Sequence, residues 1–258
     1  MRAFVVDAFT DAAFRGNPAG VVLLDAAVSA EWMQQVATEL RHSETAFARP
    51  RDDGDFDLRW FTPAVEVDLC GHATLATAHV LAGSGESSPL RFHTRSGVLV
   101  ARVDGADIEL DFPAQPPAEA DAPDGLLRAL GIGDAVWTGT NGVDLFVQVS
   151  AESTVTGLSP DFAALASVPC RGVVVTAAAN DVDFVSRWFG PRVGVDEDPV
   201  TGSAHCALAP FWAARSGRDS LVGAQLSLRG GRVSVRVDGD RVKLGGRAVT
   251  VLAGELLV

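Results

Sequence analysis

A single carboxylate heads an otherwise apolar run in Ser43-Glu44-Thr45-Ala46-Phe47-Ala48. Burial there would raise the Glu44 pKa and make it a general acid or base near neutral pH. The alternative is a solvated strand-end glutamate. Two further segments could carry chemistry, each leading at a glycine into an alanine-rich helix. The first is Cys70-Gly71-His72-Ala73-Thr74, the second Asp198-Pro199-Val200-Thr201-Gly202-Ser203-Ala204. As helix starts, each offers unpaired N–H groups and a positive dipole end, which together suit a carboxylate ligand. His72 at such a terminus is favoured as the neutral imidazole, or is simply packed there. Thr201 or Asp198 either meets a ligand or caps its helix. Arg15-Gly16-Asn17-Pro18 reads as a turn, with Asn17 ahead of the proline. His42, His79, His93 and His205 show no metal-ligand spacing, and no nucleotide-binding, GxSxG or HExxH motif occurs.

The elements that must position these groups come from a repeat. Arg59 to Asp68 (RWFTPAVEVD) and Arg187 to Asp196 (RWFGPRVGVD) agree at seven of ten positions, 128 residues apart. Gly71 to Ala78 then parallels Gly202 to Ala209, once the second copy has gained three residues, placed here at Glu197 to Val200. Gly97 to Leu110 parallels Gly231 to Leu244, and both contain Arg-Val-Asp-Gly. Asp-Gly between alternating apolar residues predicts a hairpin with a type I′ turn. Period-2 patterning predicts strands at 4–8, 20–24, 45–49, 58–61, 98–103, 108–112, 144–149, 173–176, 233–237, 242–244 and 249–253. Apolar helices are expected at 73–82 and 204–214, each buried at the centre of one half, and an amphipathic helix at 30–41.

The fold class is therefore α+β: two similar antiparallel, barrel-like halves, each wrapped around a central helix and related by a pseudo-twofold repeat. The Pro- and Ala-rich stretch 113–124 is the expected irregular linker. The expected domains are 1–114, with a final strand at about 247–258, and 115–246. If the halves face each other, both central helix starts point into one cleft.

The chain has 258 residues and a net charge of −12. That charge argues against a general nucleic-acid or anionic-membrane binder but allows a small anionic ligand. Three unpaired-looking cysteines, Cys70, Cys170 and Cys206, indicate neither a disulfide framework nor zinc. No apolar run approaches the ~20 residues of a membrane span, and the N-terminus lacks signal-peptide character. A soluble cytoplasmic protein without metal is expected.

Val6-Asp7-Ala8-Phe9, Gly16-Asn17-Pro18, Ser43-Glu44-Thr45, Phe61-Thr62-Pro63, Gly71-His72 and Glu197 to Ala204 occur in an order and spacing that resemble the phenazine-biosynthesis isomerase (PhzF-like) family. That family shares the diaminopimelate epimerase-like fold. The resemblance implies an isomerase without metal, flavin or pyridoxal phosphate, usually a homodimer. It implies Glu44 as the residue moving a proton between two carbons, with His72 and Asp198 beside it as catalytic residues. Asn17, Cys70, Gly71, Thr201, Gly202 and Ser203 are implied in binding a small carboxylate between the domains. Epimerases of this fold use a thiol before each helix; Cys70 holds the first place, and the second, in Asp198-Pro199-Val200, has none. An amino-acid epimerase using Glu44 and Cys70, and a non-catalytic binding protein, remain the alternatives.

Overall fold

The computed structural model describes residues 1–258. The chain forms two compact units, Met1–Phe112 with Leu244–Val258, and Pro113–Lys243. In the first unit the order is β1 (Arg2–Ala8), β2 (Asn17–Leu23), α1 (Ala30–Leu40), β3 (Glu44–Pro50), β4 (Phe56–Phe61), β5 (Glu66–Val67), α2 (Gly71–Gly83), β6 (Leu90–Thr94), β7 (Gly97–Asp104) and β8 (Asp107–Pro113). Next come β9 (Ala118–Glu119), α3 (Leu126–Leu130), β10 (Trp137–Thr140), β11 (Asp144–Gln148), α4 (Glu152–Thr156), α5 (Phe162–Ala166), β12 (Gly172–Ala178) and β13 (Phe184–Gly190). A 3₁₀ turn (Pro191–Val193) leads to β14 (Val195–Asp198), α6 (Gly202–Ser216), β15 (Ser220–Gln225), β16 (Gly231–Asp238), β17 (Arg241–Gly246) and β18 (Ala248–Glu255).

The repeat seen in the sequence is a repeat of strand topology. In the first unit β1 pairs with β2 antiparallel, β2 with β3 parallel, β3 with β4 antiparallel, β4 with β6 parallel and β6 with β7 antiparallel. The second unit runs the same series: β10–β11 antiparallel, β11–β12 parallel, β12–β13 antiparallel, β13–β15 parallel and β15–β16 antiparallel. The sheets are thus mainly antiparallel, with two parallel pairs in each unit. Trp60 lies opposite Ala46, and Trp188 opposite Val174, so the two copies correspond residue for residue along these strands. On that correspondence Glu44 maps onto Gly172.

Each central helix is apolar on all sides, as a helix enclosed by strands must be. In α2 nine residues are buried, and the helix packs against β1, β2, β3, β7 and β18. Its alanines keep it thin. Its buried threonines satisfy their own hydroxyls, Thr77 donating to the Ala73 carbonyl at 2.7 Å. Helix α6 contains Pro210, which cannot donate to the Cys206 carbonyl one turn back. The N–H of Gln115 does so instead, at 3.1 Å.

Several local expectations need correction. Asn17 and Pro18 do not sit in a turn: they open β2, opposite Ala8 and Asp7. The bend precedes them and closes at Gly16, whose φ is +64° and whose missing side chain leaves room for the Ala8 carbonyl. The stretch 113–124 is not wholly irregular, since β9 pairs with β10. Gly105 and Gly239 take positive φ in the two Asp-Gly hairpins, but the residues after them do not. A single positive φ excludes type I′ and fits type II′. The last strand, expected with the first half, pairs antiparallel with β1.

Candidate active site

In the first unit three of the anticipated side chains meet. Parallel pairing with β2 fixes Glu44 at the head of β3, opposite Ala19. Cys70 is the N-cap of α2, and Gly71 and His72 form its first turn. His72 Nε2 lies 3.4 Å from Glu44 Oε2, with His72 7% and Glu44 21% exposed at the side chain. The other ring nitrogen, Nδ1, lies 3.5 Å from Cys70 Sγ. Burial, with the nearby charge of His42 adding to it, pushes the His72 pKa down to about 3. The imidazole is therefore neutral, and its approach to Glu44 is a polar contact between one carboxyl group and an uncharged ring. Asn17 is fully buried at the head of β2.

Glu44, Cys70 and His72 bring ligand atoms within 4.8 Å of one another, close enough to consider a metal. The ring orientation fits chelation poorly. One nitrogen faces the thiol and the other faces the carboxylate, whereas one ion binds one nitrogen. The same placement suits a proton relay, because a neutral imidazole carries a donor on one nitrogen and a lone pair on the other.

The second unit assembles a different set. Asp198 ends β14, and its Oδ2 accepts the Thr201 hydroxyl at 2.5 Å. Thr201 is the N-cap of α6, yet its side chain makes no capping hydrogen bond. The capping alternative for Thr201 is therefore not what the structure shows. Cys70 likewise makes no capping hydrogen bond, whereas Ser29 and Asp161 do cap α1 and α5. Neither N-cap side chain of the two central helices caps its first turn.

Three residues that sequence reasoning missed build this second set. Gln225, fully buried, accepts the Thr201 N–H at 2.8 Å and donates to the Asp198 carbonyl at 2.7 Å and to Thr201 Oγ1 at 3.1 Å. Asp144, fully buried, forms a two-point ion pair with Arg171, whose Nε donates to Oδ1 at 2.8 Å and whose Nη2 donates to Oδ2. The same Nη2 donates to Ser203 Oγ at 3.0 Å. Burial works against the Arg171 charge, while Asp144 and then Asp198 hold its pKa above the ordinary value. Cys206 lies inside α6, buried, with its thiol pushed up to about 12 by burial. It is inert as a nucleophile.

The ion pairs also relocate the three-residue gain. Arg59 pairs with Glu66, and its counterpart Arg187 pairs with Glu197. Glu197 thus stands for Glu66, and the extra residues precede it, at the 3₁₀ turn and Gly194, not at Glu197–Val200. Thr201 then corresponds to Cys70 and Ser203 to His72.

The comparisons with known proteins agree on one family. The model of the phenazine biosynthesis-like proteins (PhzC-PhzF) matches residues 6–254. The chain belongs to that family. An uncharacterized isomerase of Pseudomonas aeruginosa is 54% identical over 255 residues, 98% of this chain and 97% of its own length. A crystal structure of a PhzF-family protein from Enterococcus faecalis superposes with a TM-score of 0.95 at 40% identity, covering 100% of this chain and 99% of that one. A probable proline racemase from Agrobacterium radiobacter shares the fold at a TM-score of 0.64 and 13% identity. The fold is the α+β fold of these PhzF and epimerase-like proteins, and the chain is an enzyme of the isomerase class. No helix is long and apolar enough to cross a membrane.

Proposed function

We propose that this isomerase moves a proton between positions of a small carboxylate-bearing metabolite, with Glu44 as the proton carrier. The observation that supports it most is Glu44 held 3.4 Å from a buried, neutral His72 whose other nitrogen faces Cys70. A carboxylate beside a buried neutral imidazole can take a proton from carbon and return it elsewhere without creating a second buried charge. His72 orients Glu44 and relays the proton, while Asn17 and the N–H groups of Gly71 and His72 hold the substrate. By the family resemblance, Asp198, Thr201, Gly202 and Ser203 also count among the substrate-binding and catalytic residues. No metal or organic cofactor enters this chemistry, and a cytoplasmic homodimer is the form we expect.

The test is solvent-deuterium incorporation, read by mass spectrometry, into a panel containing dihydro-hydroxyanthranilate, diaminopimelate, proline and hydroxyproline. Glu44→Gln should abolish label. An active Gln variant would sink the assignment.

The contact of Cys70 Sγ with the His72 ring supports a second reading, epimerisation with Glu44 and Cys70 as two bases. Cys70→Ala separates the readings, because only the two-base reaction collapses without the thiol.

A further inference from the structure

The two copies place unlike groups at like positions. In the first, a side chain from the head of β3 (Glu44) meets the second residue of the central helix (His72). In the second, a side chain from the residue just before β12 (Arg171) meets the second residue of the central helix (Ser203). The position matching Glu44 is Gly172, where a Cβ would lie 2.3 Å from the Trp188 ring. The second copy has no room for a carboxylate there.

We infer that Arg171 is the residue by which this isomerase selects substrates bearing a carboxylate over their neutral counterparts. Its guanidinium has five N–H groups. Nε and Nη2 are engaged by Asp144 and Ser203, which fix the plane of the group. The two N–H groups on Nη1 have no partner in the protein, and the side chain is 38% exposed. The guanidinium carbon also lies 5.8 Å from the Trp188 ring, a further restraint on its place. Ser203 is made a donor by the same arrangement. Its oxygen already accepts from Arg171, and its own proton has no protein acceptor. The N–H groups of Gly202 and Ser203, uncapped by Thr201, add to this set. Arg171 Nη1, the Ser203 hydroxyl and the first-turn N–H groups all offer donors to a carboxylate, against the opposing charge of Asp198, which also acts on Arg171.

Asp144 neutralises Arg171, so Arg171 contributes directed donors more than net charge. That sets the expected effect at about tenfold, the size of one good charge-assisted hydrogen bond. The opposing account is that Arg171 only counters the buried Asp144, which needs a partner in any case.

The inference rests on the proposed reading that a small carboxylate is bound, and the experiment keeps the two apart. Binding of anthranilate against anthranilamide, proline against prolinamide and hydroxyproline against hydroxyprolinamide is measured by calorimetry. The proteins are wild type, Glu44→Gln, Arg171→Gln and Arg171→Gln with Asp144→Asn. The double variant removes the buried charge with its partner, in case the single one does not fold. We expect wild type and Glu44→Gln to prefer at least one acid over its amide, and both Arg171 variants to lose about tenfold of that preference. A merely structural arginine weakens acid and amide alike and leaves their ratio unchanged, which overturns the inference. So does a wild type that prefers no acid. Loss of Glu44-dependent deuterium exchange with the acid preference intact removes the Glu44 reading and leaves Arg171 standing.

Discussion

Two histidines sit buried at the central helices, and both are held neutral. His205, with no exposed surface, donates from Nδ1 to the Thr201 carbonyl at 2.9 Å, while its Nε2 finds no partner. Burial pushes its pKa down to about 4, against a small upward pull from the Thr201 carbonyl; that of His72 falls to about 3. Above pH 6.5 both residues are neutral, folded or unfolded. Below it the unfolded chain binds protons that the folded chain refuses, so acid favours unfolding. The penalty grows as pH falls from 6.5 to the folded values and then levels. At pH 5 both folded values lie lower still, so each histidine costs about 1.36 kcal/mol for each of ~1.5 pH units, or about 2 kcal/mol. Acidification from pH 7 to 5 should therefore remove about 4 kcal/mol through these two residues. His205→Asn keeps a donor toward Thr201 and removes one of the two titrations. Urea denaturation at both pH values should show the variant losing about 2 kcal/mol less than wild type, whatever its stability at pH 7. Equal losses would mean that His205 accepts a proton in the folded protein, and the argument from burial would fall.

Other consequences are as direct. Gln225→Met keeps the volume but strands the Thr201 N–H, the Asp198 carbonyl and the Thr201 hydroxyl's acceptor contact. At about 1–3 kcal/mol for each unsatisfied group, stability to urea should fall by roughly 3 kcal/mol. Turnover should fall with it if Asp198 works from the end of β14. Glu44→Gln should lose deuterium exchange while its melting temperature stays within a few degrees of wild type, since Glu44 is a partly exposed strand-end residue. A large drop in melting temperature would make it a structural group.

The scaffold was legible because its signals are local or repeated. Alternation marks β7, β8 and β16, and near-continuous apolar composition marks α2 and α6. The RWF segment, found twice, marks β4 and β13 as equivalents. Helices α3, α4 and α5 went unread because five residues hold little more than one turn, too short for a 3.6-residue period to register. Arg171, Asp144 and Gln225 were missed for another reason. Each acts on a partner 24 to 32 residues away, and none stands in a motif. One signal was available: the 128-residue offset carries Glu44 onto Gly172, a position without a side chain and next to an arginine.

The uncapped central helices separate stability from function at a single atom. Ser29 and Asp161 show that this chain caps helices where it can. Cys70 has the extended backbone of an N-cap, φ −147° and ψ 116°, yet makes no capping bond. Serine there has the right backbone and a better acceptor than sulfur, and would gain about 1 kcal/mol by capping the first turn of α2. If the free N–H groups serve the substrate, that gain comes at the cost of binding. Cys70→Ser should then melt higher than Cys70→Ala while showing a higher KM for the exchanging substrate, with the thiol absent from both. The comparison cancels the loss of sulfur and leaves only the cap. Should the serine variant be more stable at an unchanged KM, the N–H groups at Gly71 and His72 play no part in holding the substrate. The absence of a cap would then need an explanation in packing alone.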